Sequence, residues 1–147
     1  MKKIFLLFAA ILFGVTASFA QVDIVNVSWN ADNCFSGNCG NEATDFFKVS
    51  VSIYDNANSE WVVQNKTITL YNLDLTYANV DVPEVDTYCD KDHDYTPSLT
   101  VYAWVWLMDS STNPPSACCS GSGNYSSYNC HDFYNGIIQL SPSIVLN

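Results

Sequence analysis

The sequence predicts an all-β protein: a single antiparallel β-sandwich of immunoglobulin-like or C2-like type, with about seven strands and long loops stapled by disulfides. Three observations predict it. Short runs rich in β-branched and aromatic residues alternate with clusters of Asn, Gly, Ser, Asp and Pro. No window carries a convincing 3.6-residue apolar period. All six cysteines follow an apolar N-terminal leader, the pattern of an exported, disulfide-bonded domain.

In chain order, Met1-Lys2-Lys3 is a basic start, Ile4 to Val15 an apolar stretch, and Ser18-Phe19-Ala20 offers the small residues a signal peptidase reads. Residues 1–20 are therefore expected to be a cleaved signal peptide and residues 21–147 one β-sandwich domain, exported to the outside or the cell surface. The leader is short for a transmembrane helix, which needs about 20 apolar residues, so no membrane insertion is expected after cleavage.

Val22 to Trp29 reads as a first strand, and Asn30 to Asn41 as a loop tied by its own cysteines. Phe47, Val49, Val51 and Ile53 alternate with Lys48, Ser50, Ser52 and Tyr54, a half-buried strand. Asp55 to Ser59 turns the chain, and Trp61 to Leu70 returns it as a hairpin. Leu73 to Val82 is expected to be a strand with a bulge near Ala78-Asn79, stopped by Pro83. Glu84 to Thr96 reads as an acidic loop. Pro97 to Met108 is the most apolar run after the leader and is expected to be the central strand. Asp109 to Asn129 reads as a long excursion, with one or two last strands in Phe133 to Leu140 and Ile144 to Leu146.

Removing residues 1–20 takes Lys2 and Lys3 away, so three lysines stand against 15 acids and the formal charge moves from −10 to −12. No arginine is present. Such a chain is repelled by phosphate backbones and anionic lipid surfaces, which excludes nucleic acid as a partner. Proteins, through self-association or a surface contact, neutral glycans and cations remain.

Cys34, Cys39, Cys89, Cys118, Cys119 and Cys130 are expected to form three disulfides. Cys34–Cys39 is a plausible local bridge. Cys118 and Cys119 diverge in extended backbone, so one is expected to meet Cys130 and the other Cys89. A zinc site would need reducing conditions and paired Cys-x-x-Cys spacing, and the sequence has no such pair.

Asp90, Asp92 and Asp94 place carboxylates at alternate positions, as calcium loops do, which makes calcium the candidate ion. An EF-hand match fails, because Tyr95 stands where Gly is required and Val101 where Glu is. The competing reading is a solvated acidic loop. On the central strand Tyr102, Trp104 and Trp106 share one face, with Trp61 expected on a neighbouring strand. These rings either fill a core or form a platform on which sugar rings stack.

No nucleophile elbow, phosphate-binding glycine loop or zinc-protease motif occurs. The expected function is non-catalytic: an extracellular binding or structural, adhesive surface module. The alternative is a carbohydrate-binding module that uses the aromatic row, with calcium beside it.

Overall fold

The computed structural model describes residues 18–35, 39, 43–56, 58–89, 99–127, 137–139 and 144–147. These build eight strands: β1 (Ser18–Asn30), β2 (Phe46–Asp55), β3 (Glu60–Leu70), β4 (Tyr77–Cys89), β5 (Leu99–Asp109), β6 (Ser116–Ser127), β7 (Ile137–Gln139) and β8 (Ile144–Val145). One sheet runs β4-β1-β7 with β8 also on β1, and the other runs β3-β2-β5-β6. Neighbours are antiparallel except β7 and β8, which lie parallel to β1. Among the described residues no helix is long and apolar enough to cross a membrane.

One hydrophobic cluster takes side chains from both sheets: Val25, Val27 and Trp29 from β1, Val80 and Val82 from β4, Phe47 to Ile53 at alternate positions from β2, and Leu99 to Leu107 at alternate positions from β5. The period of two selects these residues, since each strand turns every second side chain to one face. Burying each Val, Leu, Ile or Phe contributes roughly 1.5–3 kcal/mol. The Trp29 and Phe47 rings meet at 5.2 Å between their centroids and join the sheets directly.

β5 lies between β2 and β6, so the expectation of a central strand holds. Its aliphatic face, Leu99, Val101, Ala103, Val105 and Leu107, is buried without exposure. β1 begins within the expected leader: Ser18, Phe19 and Ala20 pair with Cys89, Tyr88 and Thr87. Cleavage before Gln21 would leave the pairing from Gln21↔Asp86 onward in place.

Five expectations are corrected. Pro83 does not end a strand, because β4 continues to Cys89. The register jumps from Ile24↔Asp81 to Val22↔Val85, so Val82, Pro83 and Glu84 stand opposite Asp23 alone. A proline lacks the N–H the ladder needs, and the bulge is where the ladder does not call for one. The bulge is here rather than near Ala78-Asn79, and the segment with Leu73 and Leu75 precedes the strand and packs on the core as half-buried side chains.

The stretch read as an excursion after Asp109 is the strand β6, paired with β5 from Asp109↔Ser116 to Leu99↔Ser127. It looks like a loop because two of its inward positions, between Cys119 and Tyr125, are glycines. Gly121 and Gly123 pair with Val105 and Ala103, and the C-terminal segment lies on them. A Cβ on Gly121 would stand 2.5 Å from the Val145 carbonyl oxygen and 2.7 Å from Ile144 Cγ2. The chain end thereby closes the fold: Leu146 N–H donates to Asn30 O on β1, while Ser120 and Asn147 exchange both backbone hydrogen bonds at 3.2 and 3.1 Å.

The cysteines pair differently from the expectation. Cys34 bridges Cys119 and Cys39 bridges Cys118, with Cα atoms 5.8 and 5.9 Å apart. Cys34 and Cys39 do not close their own loop, and neither Cys118 nor Cys119 meets Cys89 or Cys130. The divergence of neighbouring side chains does hold, since Cys119 is buried and Cys118 exposed at a register shift. Cys34 and Cys39 stand between β1 of one sheet and β2 of the other, and the two bridges tie them to the adjacent pair near the start of β6. The side chains of Cys89 and Cys130 lie outside the described residues. Two disulfides accord with an oxidising, extracellular-type environment.

The fifth correction is of direction: the fold is mostly, not wholly, antiparallel, because β7 and β8 return parallel to β1.

Candidate functional site

The outward side of the β3-β2-β5-β6 sheet is set by the same alternation that builds the core. With Phe47 to Ile53 and Leu99 to Leu107 facing in, the even-numbered positions face out. Register then places Tyr54 beside Thr100, Ser52 beside Tyr102, Ser50 beside Trp104, Lys48 beside Trp106 and Phe46 beside Met108. On the other side of β5 stand Ser126, Asn124, Ser122 and Ser120 in the same rows.

Tyr102, Trp104 and Trp106, expected either in the core or on a platform, are half-buried on this outer face. Tyr102 and Trp104 lie 6.2 Å apart with ring planes 18° from parallel. Trp61 joins them and is 44% exposed, with its centroid 5.4 Å from Tyr102 and 5.2 Å from Tyr54. All four aromatic residues singled out in the sequence thus share one face.

Trp61 reaches that face through irregularity in β3. Lys66 pairs with Val51 and Val63 with Ile53, then Trp61 with Tyr54, so the register slips twice. Val63, two residues from Trp61, is buried. In a regular strand the two would share a face, and the second slip turns Trp61 outward. The first slip is held at Asn65, whose φ of 50° lies in the left-handed region and whose N–H donates to Ser52 Oγ at 2.9 Å.

Ser50 and Ser52 are 5% and 4% exposed although they face outward. Each stands across from a large ring, and each accepts a hydrogen bond on its other side, Ser50 from Thr67 Oγ1 at 3.2 Å. Small hydroxyl residues on β2 give the rings of β5 room to lean. At the Trp106 end, Lys48 Nζ lies 5.6 Å from the ring centroid, a cation–π contact worth about 0.5–1 kcal/mol at an exposed position. Beyond it Phe46 meets Tyr71, itself 70% exposed, at 5.6 Å. At the Tyr54 end, Asn56 Nδ2 donates to Thr100 Oγ1, which in turn meets Ser126 Oγ at 3.2 Å.

The charge pattern sets this face apart. In the rows from Phe46/Met108 to Tyr54/Thr100, the outward positions carry no carboxylate, and Lys48 is their one charged residue. Acids flank the sheet at its ends, Asp55 and Glu60 at one, Asp45 and Asp109 at the other. Asp45 is wholly buried and accepts from the Ser110 N–H and Oγ at 2.9 and 3.0 Å, fixing the start of β2 to the end of β5.

Sequence reasoning passed over Tyr54, Lys48, Phe46 and Tyr71. The alternation of β2 already put the first three on one side of that strand. Only the pairing of β2 with β5 puts that side beside the tryptophans.

The proposed calcium ligands Asp90, Asp92 and Asp94 lie outside the described residues. Among the described residues no group of three or more His, Cys, Asp or Glu could hold a metal ion. Comparison with protein-family models, curated proteins and solved structures finds no match.

Proposed function

We propose that the chain is an exported, non-catalytic binding module, a β-sandwich of immunoglobulin-like type whose outer aromatic face takes neutral carbohydrate. One observation carries this reading: a row of part-exposed rings on a sheet face free of carboxylates, within a chain of strong negative charge. Sugar rings present C–H faces that pack on aromatic rings, and their hydroxyls suit a border of Ser, Thr and Asn. Here Thr67 and Thr69 lie on one side and Ser122 and Asn124 on the other, all exposed. The absence of charge at the centre of the face spares a neutral ligand the cost of desolvating ions.

The immunoglobulin-like type is supported by connectivity. β2–β3 and β5–β6 are hairpins within one sheet, while β1 and β4 pair in the other. That is the division of strands in variable-type immunoglobulin domains, with C′-C-F-G opposite B and E. The parallel C-terminal strands are this chain's own addition. Export accords with the leader and the disulfides.

Glycan-array screening followed by calorimetry tests the function. Binding in the micromolar to millimolar range, lost in Trp104→Ala and Trp106→Ala with melting unchanged, is the expected result. Self-association through this face without glycan binding would replace it with a structural, adhesive role.

A further inference from the structure

Resting on the carbohydrate reading, we infer that the ligand is an extended, uncharged polysaccharide gripped along its interior, lying along β5 rather than held by one end. The track of rings is long. It starts at Tyr54 and Trp61, continues through Tyr102, Trp104 and Trp106, and ends at Phe46 and Tyr71. From the Tyr54 row to the Phe46 row is eight residues of β2, about 26 Å at roughly 3.3 Å per residue. That exceeds the reach of one or two sugar rings.

The track is built of successive, separate contacts. Ring pairs mark its two ends, Tyr54–Trp61 and Phe46–Tyr71, and a ladder on β5 joins them. Between them lie small residues, Ser50 and Ser52 toward β2, Ser122 and Asn124 toward β6. A site for a chain end needs a wall that stops the chain; among the described residues, side chains of this size form none along the track.

Charge selects among polymers. With acids at both ends of the sheet and a mature formal charge of −12, an anionic polymer meets repulsion on approach, and so does a second copy of this chain. A neutral polymer meets none. Lys48, against Trp106, donates to hydroxyl or ring oxygens.

The test is calorimetric titration of the oxidised protein with neutral oligosaccharides of one, two, four and six units, drawn from the polysaccharide that the array identifies. Affinity should climb with length up to at least four units. Trp61→Ala and Tyr71→Ala, at exposed ends of the track, should each weaken six-unit binding about tenfold, equivalent to about 1.4 kcal/mol, and leave two-unit binding unchanged. Trp104→Ala should weaken every length. Raising the salt from 0.1 to 0.5 M should change affinity less than twofold, as screening has little to act on. A two-unit ligand that binds as tightly as the six-unit one, end substitutions that weaken all lengths alike, or a steep salt dependence would each overturn the inference and leave the carbohydrate reading standing. No binding at any length, with intact melting, would overturn both.

Discussion

Replacing Gly121 by Ala tests how the chain end closes the fold. The new methyl carbon would sit 2.5 Å from the Val145 carbonyl oxygen, 2.7 Å from Ile144 Cγ2 and 3.1 Å from the Val145 carbonyl carbon. Two of these three atoms are backbone, so no rotamer change relieves the clash. Forcing extra volume into a packed site costs typically about 1–3 kcal/mol. The upper bound is loss of the docked tail, which would expose Ile144 and Leu146, now 3% and 0% exposed, at roughly 1.5–3 kcal/mol each. About 2 kcal/mol is the expected cost, a fall in Tm of roughly 6–10 °C for a domain of this size. Differential scanning calorimetry reads it, and deletion of residues 144–147 supplies the control background. There Gly121→Ala should cost nothing and stabilise slightly, since alanine loses less backbone freedom than glycine by about 0.5–1 kcal/mol. Gly123→Ala, whose Cβ would lie 3.1 Å from the movable Ile144 Cγ1, should shift Tm far less than Gly121→Ala. An equal cost of Gly121→Ala in the full and truncated chains, or no cost in the full chain, refutes the tail-on-glycine account.

Non-reducing digestion with partial reduction should recover Cys34 joined to Cys119 and Cys39 to Cys118, and a Cys34–Cys39 peptide refutes the pairing; thiol counting on the denatured, unreduced protein should find none free, with Cys89 and Cys130 joined as the remaining pair. Replacing Cys34 and Cys119 together by Ala should lower stability by about 4–5 kcal/mol in the chain-entropy account, given their separation of 85 residues, and by less if the Cys39–Cys118 bridge already constrains the unfolded chain. Asp45→Ala should cost about 1–3 kcal/mol by stripping the Ser110 N–H and hydroxyl of their acceptor, read as a lower urea midpoint at constant m; an unchanged midpoint rules that anchor out.

The strands whose inner faces are aliphatic, β2 and β5, are legible in the sequence because burial on one side writes a period of two that needs no knowledge of the partner strand. β6 is illegible for the converse reason. The middle of its inner face is filled by Ile144 from the chain end, so its own residues there, between Cys119 and Tyr125, are Gly121 and Gly123, and glycine, serine and asparagine read as loop. Pro83 misleads similarly: the rule that proline ends a strand assumes a regular ladder, and a bulge removes that premise.

The aromatic residues were identifiable as a set from the spacing of Tyr102, Trp104 and Trp106, but not their side. Both faces of β5 are apolar enough to be core. What decides is which face the second sheet covers, and that depends on Val25, Val27, Trp29, Val80 and Val82 arriving from strands far away in sequence.

The chain's composition and spacing by themselves determined the all-β class and the half-buried strands, since these follow from local alternation. Tertiary structure alone decided the disulfide partners, the outward turn of Trp61, the assembly of Phe46, Lys48, Tyr54 and Tyr71 around the tryptophans, and the closure by residues 144–147. Each of these depends on contacts between segments tens of residues apart, where register, bulges and sheet order, none of them written in a local pattern, determine which side chains meet.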